Sequence, residues 1–200
     1  AGGGVYLRSA KSIKVTPEMA KRFDIDKKQV SPTELIGFLL KARVDLLWNG
    51  GIGTYVKSSD ESHADVGDKA NDCLRVNGKQ LRCAVIGEGG NLGFTQSARI
   101  EYALAGGLCF TDAIDNAAGV NCSDLEVNIK ILLDKLVSQG DLTVKQRNQI
   151  LYDMTDEVSD IVLEDCYRQT HSISITALRG VSQLKEQTRF INETERSGKL

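Results

Sequence analysis

Two short apolar runs, each ending in a cluster of glycines, constrain this chain more than any other feature. Val44-Asp45-Leu46-Leu47-Trp48 leads into Asn49-Gly50-Gly51-Ile52-Gly53, and Leu81-Arg82-Cys83-Ala84-Val85-Ile86 leads into Gly87-Glu88-Gly89-Gly90-Asn91. A third, shorter run is Leu108-Cys109-Phe110-Thr111. Runs of this length bounded by turn residues suit buried strands. Between the second and third, Ala98, Tyr102 and Ala105 fall on one face of a helix over 95–105. Strands alternating with helices indicate an α/β fold with a parallel sheet. Such strands are covered on both faces, as Ala84-Val85-Ile86 reads, and ligands sit outside their carboxyl ends. The glycine clusters lie at those ends, where they either let the backbone approach a ligand or simply make tight turns.

Of the 19 glycines, 16 precede residue 120, and the pattern changes there. Leu125, Ile129, Leu132, Leu133 and Leu136 repeat at helical spacing, with Ser123 or Asp124 as cap and Gly140 as stop. A second helix begins at Asp141-Leu142-Thr143, and Ile150, Leu151, Met154, Val158, Ile161 and Val162 form one stripe along it. Asp153, Asp156, Glu157 and Asp160 lie off that stripe and read as a solvated face. A further helix is expected from about Ile173, fraying after Ser197. Upstream, Ser31-Pro32-Thr33-Glu34 reads as an N-cap followed by proline at the first helical position, opening a helix to about Ala42.

The balance of residues excludes several classes. At 41% hydrophobic and 26% charged, 200 residues form a globular chain of one or two cores, not a disordered or collagen-like one. No apolar run approaches the roughly 18 to 20 residues that span a bilayer. With 25 basic and 27 acidic residues, the net charge of −2 supplies no cationic surface for nucleic acid. Cys73, Cys83, Cys109, Cys122 and Cys166 include no CxxC pair, and only His63 and His171 could join them, so no metal site is expected. The thiols read as reduced and mostly buried in a cytoplasmic protein. The Ala1-Gly2-Gly3-Gly4 opening, with no initiator Met or signal peptide, suggests an excised piece.

The glycine loops carry the candidate chemistry. Gly87-Glu88-Gly89-Gly90-Asn91 could set backbone amides and an Asn side chain against a polar ligand, although it lacks GxGxxG spacing. Asn49 to Gly53 is a second ligand loop or a turn, and Asp112 to Ser123 a third site segment or a linker. The two histidines read as surface or packing residues, and Ser123 as a helix cap.

Taken together these segments resemble the large bacterial NAD-specific glutamate dehydrogenases. The resemblance lies in Val44 to Tyr55, in Gly87-Glu88-Gly89-Gly90-Asn91-Leu92-Gly93-Phe94-Thr95-Gln96, and in Asp115-Asn116-Ala117-Ala118-Gly119-Val120 with Ser123. It extends from Gly2 to about Tyr167. The shorter glutamate dehydrogenases carry an E-G-A-N-x-P-T-T loop and an N-A-G-G-V-x-x-S segment. Glu88, Gly89, Asn91 and Thr95 match the first, with Gly90 in place of Ala and Phe94 in place of Thr. Asn116, Ala117, Gly119, Val120 and Ser123 match the second, with Ala118 in place of Gly. The family's Pro-Ala pair is absent from Asn49 to Gly51.

The resemblance implies the later half of a Rossmann-like parallel sheet with flanking helices over residues 1–123, followed by a helical region over 124–200. It implies cofactor contacts from Asn49, Gly50, Gly51, Gly89, Gly90, Asn91 and Asn116 to NAD. Val120 and Ser123 would line the glutamate pocket, Ser123 bonding the carboxylate beside a helix start. The implied reaction is oxidative deamination of L-glutamate to 2-oxoglutarate and ammonia, with hydride transfer to NAD. The pyrophosphate fingerprint and the catalytic lysines and aspartate would lie upstream of this chain. No catalytic residue is therefore expected within it, and the isolated chain is expected to be inactive. The full-length enzyme would be a homo-oligomer. The alternatives are another amino-acid dehydrogenase, with an apolar wall in place of Ser123, or a non-catalytic nucleotide-binding or interaction module, in which the Asn91 and Asn116 loops need not converge.

Overall fold

A computed structural model describes residues 2–199; Ala1 and Leu200, the outer limits of the two expected regions, lie outside the described residues. The chain divides into two compact units, Ala1–Asn116 and Ala117–Leu200.

The first unit opens with β1 (Ile13–Lys14), α1 (Pro17–Phe23), β2 (Gln29–Val30) and α2 (Pro32–Leu40). Strands β1 and β2 pair antiparallel, and Ile13, Met19, Ile25, Val30 and Leu35 form a small core beneath them. Helix α2 starts as its sequence demands. The Ser31 hydroxyl accepts from the Glu34 amide while the Glu34 carboxylate accepts from the Ser31 amide, and Pro32 occupies the first helical turn.

Next come β3 (Leu46–Asn49), β4 (Val56–Lys57), α3 (His63–Val66), β5 (Val76–Asn77), β6 (Val85–Glu88), α4 (Gln96–Leu104), β7 (Leu108–Cys109) and α5 (Asp112–Asp115). Strands β3, β6 and β7 make a parallel sheet with β6 central, and β4 pairs in parallel with β5. Thr95 caps α4 by accepting from the Ala98 amide. Side chains alternate across the sheet, so Leu47, Ile86 and Cys109 share one face. There Val56, Phe94, Ala98 and Tyr102 pack with Ile86 into the larger core.

The opposite face departs from expectation. Leu46, Trp48, Val85 and Leu108 share it and all are exposed, so within the first unit the sheet is covered on one side, not two. An apolar run reads alike in a strand covered once or twice, because the run records what the chain can bury and not what buries it.

The second unit is helical: α6 (Ala117–Gln139), α7 (Val144–Asp153), α8 (Thr155–Arg179) and α9 (Leu184–Arg196). Helix α6 packs on α7 and α8, with Leu133 and Val162 buried. Gly140 stops α6 with φ +87° and Thr143 caps α7 through a reciprocal pair with Gln146, both as the sequence suggests. Three boundaries do not follow the sequence reading. The expected junction at residue 123 falls inside α6, which begins at Ala117. The stripe from Ile150 to Val162 is divided at Met154. Ile173 lies within α8, and the next break comes at Gly180. No helix of the described residues is long and apolar enough to cross a membrane.

The Glu34 carboxyl is drawn down from its ordinary 4.5 to about 2, first by the Lys27 side chain and then by the Ser31 amide and hydroxyl. A depressed carboxyl stabilises the fold above its unfolded value and ceases to do so as pH falls through its folded value. Glu34→Gln is therefore expected to lower the thermal unfolding midpoint at neutral pH, with the gap to the unsubstituted chain closing from about pH 4.5 towards about 2. Melts across that range check it.

Candidate functional site

The strand register sets Asn49 and Glu88 side by side at the carboxyl ends of β3 and β6, on the face that α4 covers. Glu88 has no exposed surface. A buried carboxylate is costly unless paired and bonded, and here it is both. Arg99, from the second residue after Ser97 on α4, forks onto it, with Nε 2.7 Å from Oε1 and Nη2 3.0 Å from Oε2. The Phe94 amide donates to Oε2 at 3.2 Å. Arg99 Nη2 also lies 3.0 Å from Asp112 Oδ1, and Nη1 donates to Gln96. Burial alone would lower the Arg99 guanidinium, but the bond and charge of Glu88, and then the charge of Asp112, more than offset it and hold the group above its ordinary range. Removing one partner of such a pair strands a buried charge, at about 3 to 5 kcal/mol.

This ion cluster lies under two loops. The Glu88 amide donates to Asp115 Oδ2 at 2.8 Å, and the Leu92 amide to Asp112 Oδ2 at 2.7 Å. Between those two bonds, Asn116 Nδ2 donates to Asn91 Oδ1 at 2.8 Å. Segments 88–92 and 112–116 are thus joined at three points. A second pairing brings the glycine loops together, for the Gly90 amide donates to the Asn49 carbonyl at 2.9 Å. A Cβ on Gly90 would stand 2.5 Å from the Gly51 carbonyl oxygen, so only glycine fits there. Trp48 lies over Gly87 and Gly89, each of whose Cβ positions is 2.5 Å from its ring.

Of the residues singled out in the sequence, Asn49, Gly50, Gly51, Gly89, Gly90, Asn91 and Asn116 therefore belong to one loop cluster at the carboxyl end of the sheet. Asn91 is exposed and Asn116 half-buried. Asn49 points inward; its Oδ1 accepts from the Gly51 amide at 3.4 Å, and its Nδ2 is buried without a partner among the described residues. Val120 and Ser123 lie on α6, exposed and three residues apart, hence on one helix face. Ser123 is not a cap. It stands in the second turn, past the four unpaired amides of the helix start, so no helix-end field aids it. Small polar residues from Asp112 to Ser123 suit a linker, yet Asp112–Asp115 is helical as α5 and the chain from Ala117 onward as α6, where Ala117 and Ala118 favour helix.

The remaining candidates are ordinary. All five cysteines are free; only Cys83 is buried, Cys109 and Cys166 are half-buried, and Cys73 and Cys122 are exposed, against the expectation of mostly buried thiols. Burial pushes the Cys83 and Cys109 thiols up, away from reactivity. His63 Nδ1 lies 2.8 Å from Arg75 Nη1, and His171 stacks on Tyr167. Asp153, Asp156, Glu157 and Asp160 are solvent-exposed as read. Among the described residues no group of three or more His, Cys, Asp or Glu side chains is placed to hold a metal. No individual role is legible in the sequence for Arg99, Asp112 or Asp115, although the two aspartates lie in the third candidate segment. The available signal was Arg99 itself, a charge beside Ala98 and three residues before Tyr102 on the buried side of α4.

The sequence of residues 1–176 matches the family model described as bacterial NAD-glutamate dehydrogenase, catalytic domain. The chain is 61% identical over 200 residues to the NAD-specific glutamate dehydrogenase of Pseudomonas aeruginosa, covering 100% of this chain and 12% of that protein. It is 59% identical over 199 residues to the protein of the same name from Halomonas elongata, again covering 12% of it. To that of Mycobacterium tuberculosis it is 54% identical over 170 residues, 82% of this chain and 10% of that protein. The chain thus spans about an eighth of the length of the curated relatives it matches.

Gly90→Ala would drive a methyl into the Gly51 carbonyl and part the loops. It is expected to destabilise the chain by about 1 to 3 kcal/mol, the usual cost of overpacking. Chemical denaturation checks this, and an unchanged midpoint would show that the loops separate freely.

Proposed function

This chain belongs to the bacterial NAD-glutamate dehydrogenase catalytic-domain family, and from that membership and the loop geometry we propose that it supplies the nicotinamide side of an NAD site. The single observation that carries the reading is the Asn116–Asn91 bond at 2.8 Å, at the carboxyl end of a parallel sheet. That bond uses Asn116 Nδ2 and Asn91 Oδ1; among the described residues nothing bonds Asn91 Nδ2 or Asn116 Oδ1. Asn91 Nδ2 is left to donate and Asn116 Oδ1 to accept, the complement of a carboxamide, so the residues fit a nicotinamide. The Gly50–Gly51 and Gly89–Gly90 backbone beside them would flank the ribose. The unit bearing the sheet is then the later part of a Rossmann-like domain, followed by the helical region.

Bound there, NAD would supply the acceptor for a hydride from the α-carbon of L-glutamate; with loss of a proton from nitrogen this gives an imine, which water hydrolyses to 2-oxoglutarate and ammonia. The chain's own residues orient and do not react. Asn91 and Asn116 would hold the carboxamide, and the glycine loops would flank the ribose. Ser123 donates its hydroxyl to the glutamate side-chain carboxylate, with Val120 packing on the methylenes from the same helix face. High identity to three NAD-specific glutamate dehydrogenases favours this over another amino-acid dehydrogenase. The convergence of the Asn91 and Asn116 loops favours it over a non-catalytic nucleotide-binding or interaction module, in which those loops need not meet.

The test is made in the full-length enzyme that carries this chain. Asn116→Ala is expected to raise the KM for NAD with little change in that for glutamate, whereas Ser123→Ala lowers kcat/KM for glutamate. A lost bond to a charged group is worth roughly ten- to a hundred-fold, and one between neutral groups nearer two- to ten-fold. Steady-state kinetics with each substrate varied in turn decide it, and unchanged constants in both variants would remove these residues from the site.

A further inference from the structure

Arg99 is 8% exposed, and its guanidinium is engaged by Glu88, Asp112 and Gln96. It therefore acts on a ligand through other groups. Resting on the cofactor reading above, we propose that Arg99 is a positioning residue that sets the Asn91–Asn116 pair in register for NAD. Three stretches of chain meet at this one side chain. Its own helix brings it to the sheet, Glu88 begins the loop that carries Asn91, and Asp112 begins the segment that ends in Asn116.

The geometry ties these parts into a closed ring. Asp112 accepts from Arg99 on Oδ1 and from the Leu92 amide on Oδ2, while Glu88 accepts the Arg99 fork and gives its amide to Asp115. Between these links, Asn91 and Asn116 make their bond. Leu92, directly after Asn91, is held at φ +58°, in the left-handed region that a leucine occupies only when its surroundings fix it. The bond from its amide to Asp112, together with the Thr54 hydroxyl donating to its carbonyl at 2.7 Å, supplies that constraint, and Arg99 engages Asp112 in turn. A planar fork is what the ring requires, because Arg99 must address Glu88 with two nitrogens while Nη2 also reaches Asp112. A lysine keeps the charge and loses the fork.

The experiment uses the full-length enzyme with Arg99→Lys, Asn116→Ala and the double variant, read by kcat, by the KM for NAD and for glutamate, and by the thermal midpoint. The expected result is an NAD KM raised about ten-fold in Arg99→Lys, with the glutamate KM and the midpoint near those of the unsubstituted enzyme. The double variant should be no worse than the weaker-binding single variant, since both changes disable one device. Asp112→Asn, which spares the Glu88–Arg99 fork, should raise the NAD KM in the same direction and serves if Arg99→Lys does not fold. An NAD KM raised in Asn116→Ala but unchanged in Arg99→Lys and Asp112→Asn overturns the positioning role and leaves the cofactor site standing. Effects that multiply in the double variant, or a lowered midpoint with an unchanged NAD KM, overturn it as well. Unchanged NAD KM in every variant overturns the cofactor reading and the positioning role with it.

Discussion

A carboxylate with no exposed surface stands at the carboxyl end of the central strand, and the first unit is arranged around the cost of putting it there. Glu88 cannot be buried alone. It needs a cation of fixed shape, and α4 delivers one because Arg99 lies on the same side of that helix as Ala98 and Tyr102, which pack in the core. The core thereby sets where the guanidinium stands. The guanidinium then sets where Asp112 stands, and Asp112 holds the Leu92 amide. Packing of apolar side chains on one face of the sheet is in this way transmitted to polar atoms at its end.

Much of this was legible in the sequence, where a local rule fixes the outcome. Ser31-Pro32-Thr33-Glu34 can cap a helix in only one manner, and the structure has that capping box. Thr95 and Thr143 cap α4 and α7, close to where the sequence starts those helices. The glycine loops could be placed at strand ends because apolar runs and turn residues alternate along the chain. Their mutual contact could not, since the bond from the Gly90 amide to the Asn49 carbonyl joins positions 41 residues apart. The Glu88–Arg99 pair was hidden for a related reason: charge is read as exposed until a partner is known.

Other readings failed where two outcomes share one pattern. Small residues between Asp112 and Ser123 suit a linker and suit a helix, and here Ala117 onward is helix, which takes from Ser123 the capping role its residue type suggested. Two departures from the shorter glutamate dehydrogenases lie at one contact. Gly90 stands where those enzymes carry Ala, and Asn49 to Gly51 lack their Pro-Ala pair. In this chain the Gly51 carbonyl occupies the space that an alanine methyl at position 90 would need. Each loop is fitted to the other.

Trp48 gives this arrangement an optical handle. It is the one tryptophan in the chain, 60% exposed, with its ring laid across Gly87 and Gly89 beside the loop that carries Asn91. Indole emission responds to its immediate surroundings. The indole fluorescence of this chain, excited apart from its five tyrosines, therefore reports from a single point, the seam between the two glycine loops.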